Sequence, residues 1–232
     1  MLDATAAAKP TASKRSPNLG PPSLRLKDIR ITLGKTLRLS IADFQIGSGE
    51  RVLIHGPSGQ GKTTLLHLLA GLIVPDCGEV WVGPSNLRQL SERQRSQLRR
   101  RDFGIIFQSL NLLDHLTAVE NVLLAGGRTA LSRHAALVAL AQVDMEPYSA
   151  DSTASLSLGQ QQRIAAARML VAKPKVILAD EPTSSLDEAN VELLMDALDV
   201  AAKGATLVMV SHDQRIRARF QRVVSINEVF KR

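Results

Sequence analysis

The residues best suited to chemistry lie in a glycine-rich segment early in the chain. Residues 56–63 match the pattern G-x-x-x-x-G-K-[ST] at every fixed position. Glycines let this backbone curl until its N–H groups point at phosphate oxygens, and the positive end of a following helix favours the same anion. We predict that Lys62 reaches the β- and γ-phosphates of a nucleotide and that Thr63 binds Mg²⁺. The predicted nucleotide-binding residues of this loop are Gly56, Pro57, Ser58, Gly59, Gln60, Gly61, Lys62, Thr63 and Thr64.

Two carboxylates follow directly after an apolar run at residues 176–179. Asp180 and Glu181 thereby stand at the end of a predicted buried strand, and the carboxyl ends of parallel strands share the edge that carries the phosphate loop. We predict that Asp180 holds the Mg²⁺ shell and that Glu181 orients and polarises an attacking water. An acidic pair alone is as often a surface feature, but together with the loop it indicates nucleotide hydrolysis.

The elements that must position these residues alternate between strands and helices. Apolar runs at residues 51–55, 176–179 and 206–210 predict buried strands, and a leucine-rich helix begins near Gly61. This alternation is typical of an α/β fold with a mostly parallel sheet. The stretch from about 91 to 168 is largely helical in pattern instead, so we predict a helical subdomain inserted into the α/β core.

The bulk composition argues against several classes of protein. The 232 residues carry a net charge of +7, yet one Trp, one Tyr and five Phe are too few for a typical single-strand nucleic-acid surface. We interpret the arginines between 93 and 101 as a solvated helix face and expect no nucleic-acid partner. No apolar stretch approaches the roughly 20 residues of a membrane span, so membrane contact is expected only through a partner. Residues 1–22 are rich in Ala, Pro, Ser and Lys and are predicted to form a disordered tail before one domain at 23–232.

Four further motifs follow the phosphate loop along the chain. They are Phe-Gln at 107–108, LSLGQQQR at 156–163, SSLD at 184–187 and VSHD at 210–213. In this order they resemble the glutamine loop, signature sequence, D-loop and switch histidine of the ATPase domain of ABC transporters. The resemblance covers roughly residues 24–228, and the ordered set is far more specific than any one motif. It implies a P-loop NTPase core with a small antiparallel β region on its N-terminal side.

The resemblance also implies a dimer that holds two ATP molecules between its chains. Each ATP would contact the phosphate loop of one chain and the signature sequence of the other. His212 would join Glu181 and Gln108 in the catalytic group by contacting the γ-phosphate, while Gln108 senses Mg²⁺ and the attacking water. The signature and D-loop residues expected at the nucleotide are Ser157, Gly159, Gln160 and Asp187. ATP and Mg²⁺ are the implied cofactors, and the implied metal-side residues are Thr63, Gln108 and Asp180.

One branch of the family is especially similar. Residues 99–108, 111–113 and 117–122 look like those of lipoprotein-releasing and macrolide-exporting ATPases. That branch implies a transmembrane permease subunit as partner and a homodimer or pseudo-dimer of ATPase subunits. It also implies a peripheral position on the cytoplasmic face of the inner or plasma membrane. The expected work is export, or extraction of a lipoprotein or lipid, driven by ATP hydrolysis.

The chain departs from the family pattern at two places near the nucleotide. Leu158 stands where the signature normally has glycine, so we expect reduced or partner-dependent hydrolysis. Residues 30–34 contain no aromatic side chain to stack on adenine, and Leu33 is the expected occupant of that position. Phosphate contacts should then dominate binding, and selectivity for the base should be weak.

Two other functions stay open from the sequence. One is a soluble ABC ATPase of DNA repair or chromosome work, although the chain has no long heptad run of the kind that splits those ATPases. The other is a module that binds ATP with little turnover. Leu158 favours that module, whereas Glu181 and His212 argue against it.

Overall fold

The computed structural model describes residues 20–34, 37–126 and 132–231. Its strands are β1 (Leu24–Leu33), β2 (Leu37–Ile46), β3 (Arg51–His55), β4 (Cys77–Val82), β5 (Ser85–Asn86), β6 (Phe103–Ile106), β7 (Val176–Asp180), β8 (Thr206–Val210) and β9 (Arg222–Ser225). Its α-helices are α1 (Lys62–Leu69), α2 (Glu92–Asp102), α3 (Ala118–Leu123), α4 (Arg133–Ala141), α5 (Leu158–Ala172), α6 (Glu188–Ala201) and α7 (Ile226–Val229). Most of the predicted disordered tail, residues 1–19, lies outside the described residues. Within those residues, no helix is long and apolar enough to cross a membrane.

A parallel sheet with strand order β6-β7-β8-β3-β9 forms the centre of the fold. Alternate side chains of each strand point to opposite faces of the sheet. In β7, Ile177 and Ala179 join the apolar cluster on one face, whereas Val176 and Leu178 join the cluster on the other. Every residue of β7 and β8 is buried because both faces are covered. The predicted α/β fold with a mostly parallel sheet is confirmed.

A smaller antiparallel sheet with strand order β2-β1-β4-β5 covers one face of the molecule's core. Its inward side chains, such as Leu26 and Ile41, share an apolar cluster with Leu65 and Leu69 of α1. Full burial of one such leucine contributes about 1.5–3 kcal/mol. Helix α1 is therefore anchored between the two sheets, which holds the residue at its start in a fixed place. The small antiparallel β region expected on the N-terminal side is confirmed.

The segment predicted as a helical subdomain, residues 91–168, contains a strand of the central sheet. β6 pairs in parallel with β7, from Phe103 opposite Val176 to Ile106 opposite Ala179. The predicted boundary is therefore too early, because a strand of four residues is too short to reveal its period in the sequence. The helical part that remains runs from α3 to α5, and its inward side chains pack in the cluster opposite the antiparallel sheet.

The arginine-rich surface of α2 makes many of its contacts within the chain. Arg95 and Arg99 both form ion pairs with Glu92, and Arg101 pairs with Asp102. The side chains of Arg95 and Arg99 are only 14% and 17% exposed, and they also donate to the carbonyls of Leu90 and Gly71. The interpretation of this segment as a solvated helix face therefore holds for Arg93, Arg100 and Arg101, which are exposed, whereas Arg95 and Arg99 pack against the chain.

Candidate functional site

The predicted phosphate loop joins the end of β3 to the start of α1. Gly59 and Gly61 have φ angles of 75° and 93°, in the left-handed region that favours glycine. Gly61 also has no room for a side chain, because a Cβ there would lie 2.9 Å from Leu39 Cδ1 and 3.1 Å from Phe230 Cε2. Helix α1 begins at Lys62, so its free N–H groups and positive dipole end face the loop. The segment has the strand–loop–helix context that an anion-binding loop needs.

A cleft of about 320 Å³ opens beside this loop. It collects side chains from the loop, from the segment after β6, and from the segments that follow β7 and β8. The lining residues are Ser58, Gly59, Gly61, Lys62, Thr63, Thr64, Gln108, Asp180, Glu181, Ser184 and His212. The structure therefore brings together the loop and the four predicted polar residues, which are far apart along the chain.

Lys62 is held inside the cleft. Its side chain is 6% exposed, and Nζ donates hydrogen bonds to the carbonyl oxygens of Gly56 at 2.7 Å and Pro57 at 3.2 Å. The same nitrogen lies 3.2 Å from Glu181 Oε1. The ammonium group is thus fixed where the loop meets the acidic pair. Gly56, Pro57 and Gln60 belong to the loop without lining the cleft.

Glu181 has a backbone conformation that is rare for a residue with a side chain. Its φ is 49°, and its N–H donates to the carbonyl of Val210 at 2.9 Å. Oε2 accepts a hydrogen bond from Ser211 Oγ at 3.1 Å and lies 2.9 Å from His212 Nδ1. Burial alone would raise the pKa of Glu181, but the hydrogen bonds with His212 and Lys62 outweigh it and hold the pKa below its ordinary value. Glu181 is therefore an ionised carboxylate near neutral pH and can accept a proton.

Asp180 ends β7 and keeps one carboxylate oxygen without a partner. Its Oδ1 is buried and has no hydrogen bond from the part of the chain that the structure describes. Burial raises the pKa of Asp180, while a hydrogen bond with Thr63 acts in the opposite direction. An unpaired buried oxygen costs free energy unless a donor or a cation meets it. Asp180, Thr63 and Gln108 line the same cleft and carry the oxygen ligands that Mg²⁺ prefers.

The predicted signature and D-loop residues lie outside the cleft of their own chain. Ser157 caps α5 in a reciprocal arrangement: its Oγ accepts from the N–H of Gln160 at 3.3 Å, and Gln160 Oε1 accepts from the N–H of Ser157 at 2.8 Å. Gly159 lies close to the D-loop: a Cβ on this glycine would be 2.9 Å from Leu186 Cδ2. Asp187 caps α6. None of Ser157, Gly159, Gln160 and Asp187 lines the cleft beside Lys62.

Comparison with known proteins identifies the family. The family model described as ABC transporter matches residues 39–184. This chain belongs to the ABC transporter family. The lipoprotein-releasing system ATP-binding protein LolD of Legionella pneumophila (strain Paris) is 44% identical over 192 residues, which cover 80% of this chain and 85% of that protein. The macrolide export ATP-binding/permease protein MacB of Haemophilus ducreyi is 38% identical over 216 residues, which cover 89% of this chain and 31% of that protein.

Solved structures of ABC transporter cassettes share this fold. The ATP-binding cassette MJ0796, in a dimeric post-hydrolysis state bound to ADP and Pi, has a TM-score of 0.77 and 34% identity, covering 87% of this chain and 93% of that one. Another dimeric structure of the same cassette, described as bacterial, has a TM-score of 0.78 and 33% identity, covering 89% of this chain and 96% of that one. The predictions of an ABC transporter ATPase, of its P-loop fold and of a resemblance to the lipoprotein-releasing and macrolide-export types are confirmed.

Two serines of the ABC transporter site were missed as candidate site residues. Ser184 lines the cleft, and Ser211 is buried with its hydroxyl on the Glu181 carboxylate. Both lie inside motifs that the sequence analysis recognised, at 184–187 and 210–213. A serine hydroxyl can donate or accept, so its residue type does not indicate which neighbour it will contact.

Proposed function

We propose that this chain is the ATP-hydrolysing subunit of an exporter, working as a dimer on a transmembrane permease partner. The observation that carries the proposal is the cleft in which the phosphate loop meets Asp180, Glu181, Gln108 and His212. These four residues come from three separate segments and line one cleft only in the folded chain. We take residues 23–232 as one ATPase domain, in which the helices α3 to α5 are inserted between β6 and β7.

Each residue of the cleft has its own role in the hydrolysis of ATP. Lys62 and the loop amides offset the negative charge of the β- and γ-phosphates. Glu181, ionised and fixed by its hydrogen bonds, orients the attacking water and accepts its proton. His212 lies 2.9 Å from the Glu181 carboxylate. It contacts the γ-phosphate from the same chain as Lys62. Gln108 reaches the cleft from the segment after β6 and senses the metal and the water.

Mg²⁺ fits the acidic end of the cleft. The buried Oδ1 of Asp180, which no described residue satisfies, is oriented as a ligand for a cation or its bound water. Asp180, Thr63 and Gln108 would hold the ion there. When bound, Mg²⁺ supplies positive charge that offsets the charge on the phosphate oxygens.

A head-to-tail dimer explains the residues that the cleft leaves out. Ser157, Gly159 and Gln160 stand at the N-terminus of α5, where a hydroxyl and free N–H groups suit an anion. In the proposed dimer they contact the γ-phosphate of an ATP bound by the second chain. Asp187 helps to join the two chains. The dimeric cassettes to which this chain is similar support this arrangement. The second chain is another copy or a related ATPase subunit.

The proposed permease supplies the contacts with the membrane and with the transported molecule. The relatives are a lipoprotein-releasing ATP-binding protein and a macrolide export protein, which supports export or lipoprotein extraction as the work done. We place the dimer on the cytoplasmic face of the inner or plasma membrane, in contact with the bilayer only through the permease. Strong, salt-dependent DNA binding by the purified chain would favour a soluble ATPase of DNA work instead.

Phosphate release from Mg-ATP by the purified chain tests the proposal. Glu181→Gln should lower kcat by about 10²–10⁴-fold, the usual contribution of a general base, while ATP still binds. Glu228→Gln, which changes an exposed carboxylate outside the cleft, is the matched control and should keep the wild-type rate. A wild-type chain that binds Mg-ATP but releases no phosphate, alone or with its permease, would support the second candidate, a binding module, which Leu158 favours.

A further inference from the structure

Arg215 connects two loops of the site that are distant in sequence. Its Nε donates to Asp213 Oδ1 at 2.9 Å, and its Nη2 donates to Asp213 Oδ2 at 2.7 Å. Both Nη1 and Nη2 also donate to the backbone carbonyl of Leu186, each at 3.2 Å. One planar guanidinium therefore hydrogen-bonds both the carboxylate of Asp213, which follows His212, and the backbone carbonyl of Leu186, which precedes Asp187. Only arginine has enough donors, in a planar fork, to bond both groups at once.

The first of these two contacts continues into the catalytic cleft. The Asp213 side chain is 8% exposed, and the N–H of Asp213 donates to Ser211 Oγ at 3.1 Å. Ser211 in turn donates to the Glu181 carboxylate. Bonding to Arg215 is the main reason that the pKa of Asp213 is lowered, so this carboxylate remains ionised and paired. The position of Arg215 is thus linked to the segment that carries His212.

The second contact leads to the signature sequence. The side chain of Leu186 lies against Gly159, close enough that a Cβ on Gly159 would be 2.9 Å from Leu186 Cδ2. Leu186 is buried and immediately precedes Asp187, which caps α6. A shift of the Leu186 backbone would therefore disturb both the D-loop and the start of α5, since close-packed contacts of this kind cannot absorb it.

We propose that Arg215 is a positioning residue that makes the D-loop and the signature helix follow the position of His212 within one chain. The inference rests on the proposed function, because the two loops matter only if the chain hydrolyses ATP in a dimer. Arg215 does not line the cleft, so it acts through Asp213 and Leu186 rather than on the nucleotide.

The kinetic test compares Arg215→Gln with Arg217→Gln. Both variants remove one exposed positive charge. Arg217 is the control because its hydrogen bond is to Gln214, whereas Arg215 bonds to Asp213 and Leu186. Arg215→Gln should lower kcat by about ten- to hundredfold, the loss typical of a displaced catalytic group, with KM for ATP within about twofold of wild type. Arg215→Lys should restore little, because an ammonium lacks the planar fork of donors. Arg217→Gln should match wild type in both constants.

Hydrogen exchange supplies a measurement that does not depend on activity. Arg215→Gln should speed exchange of the D-loop amides at 184 and 186, which donate to the carbonyls of Glu181 and Thr183, whereas Arg217→Gln should not. Equal exchange and equal kcat in the two variants would overturn the role of Arg215. A wild-type chain without phosphate release would overturn the proposed function instead, and the exchange comparison would still decide whether Arg215 holds the D-loop.

Discussion

The Lys62 ammonium group lies 3.2 Å from the Glu181 carboxylate, although the two residues come from opposite halves of the chain. Each side chain is almost fully buried and has further hydrogen-bond partners. Lys62 bonds to the phosphate loop, and Glu181 bonds to His212 and Ser211. A buried charge is tolerated when it is paired and hydrogen-bonded. The pair therefore couples the residue proposed to bind phosphate to the residue proposed to accept the proton.

The ionisation of Glu181 predicts how stability depends on pH. Because its pKa in the folded chain lies below the ordinary value of 4.5, the ionised form stabilises the fold above that pH, and this contribution is lost as the pH falls through the folded pKa. The free energy of unfolding of wild type, relative to that of Glu181→Gln, should thus stay constant from neutral pH to about 4.5 and fall below it. Chemical denaturation at several pH values measures the difference. A decline already complete near pH 6 would mean that the pKa is raised.

Mixing two inactive variants tests whether each site draws on both chains. Lys62→Gln damages the phosphate loop, and Ser157→Ala removes the signature hydroxyl, so each homodimer should be strongly impaired. In a head-to-tail dimer, one mixed pair retains an undamaged Lys62 facing an undamaged Ser157, and about half of its sites are intact. Mixing the proteins should therefore raise phosphate release well above that of either variant alone. Activity that stays at the level of the separate variants would contradict the shared site.

Leu158 should limit the rate of hydrolysis. Its side chain is 47% exposed at the first turn of α5, between the two predicted contacts Ser157 and Gly159. Relief of a clash of about 1 kcal/mol would raise kcat roughly fivefold in Leu158→Gly. Leu158→Ala is the control, because glycine by itself destabilises a helix by up to about 1 kcal/mol relative to alanine. No gain in either variant would show that the leucine faces away from the nucleotide.

Selectivity for adenine should be weak. Residues 30–34 include no aromatic residue, and the side chain of Leu33 lies outside the described residues. We expect Kd values for ATP and GTP within about tenfold of each other. Leu33→Tyr should tighten ATP binding by about 1–3 kcal/mol, the gain typical of stacking on a base. A wild-type preference for ATP above about 100-fold, near 3 kcal/mol, would contradict this prediction.

The sequence alone was sufficient to predict the local parts of this protein. The phosphate loop at 56–63 and the strand that ends at Asp180 are each determined by neighbouring residues. Glycines at fixed spacing and continuous apolar runs act within one turn or one strand, so their signals can be recognised in the linear sequence.

Only the tertiary structure decided which side chains and which further strands meet around these parts. β6 belongs to the central sheet because its backbone pairs with β7, a partner that its four residues do not reveal. In the same way, Lys62 contacts Glu181, and Arg215 joins Asp213 to Leu186, because the order of the strands brings their ends together. Such contacts depend on long-range packing and on the direction of each side chain, and neither is encoded in the spacing of residues along the chain.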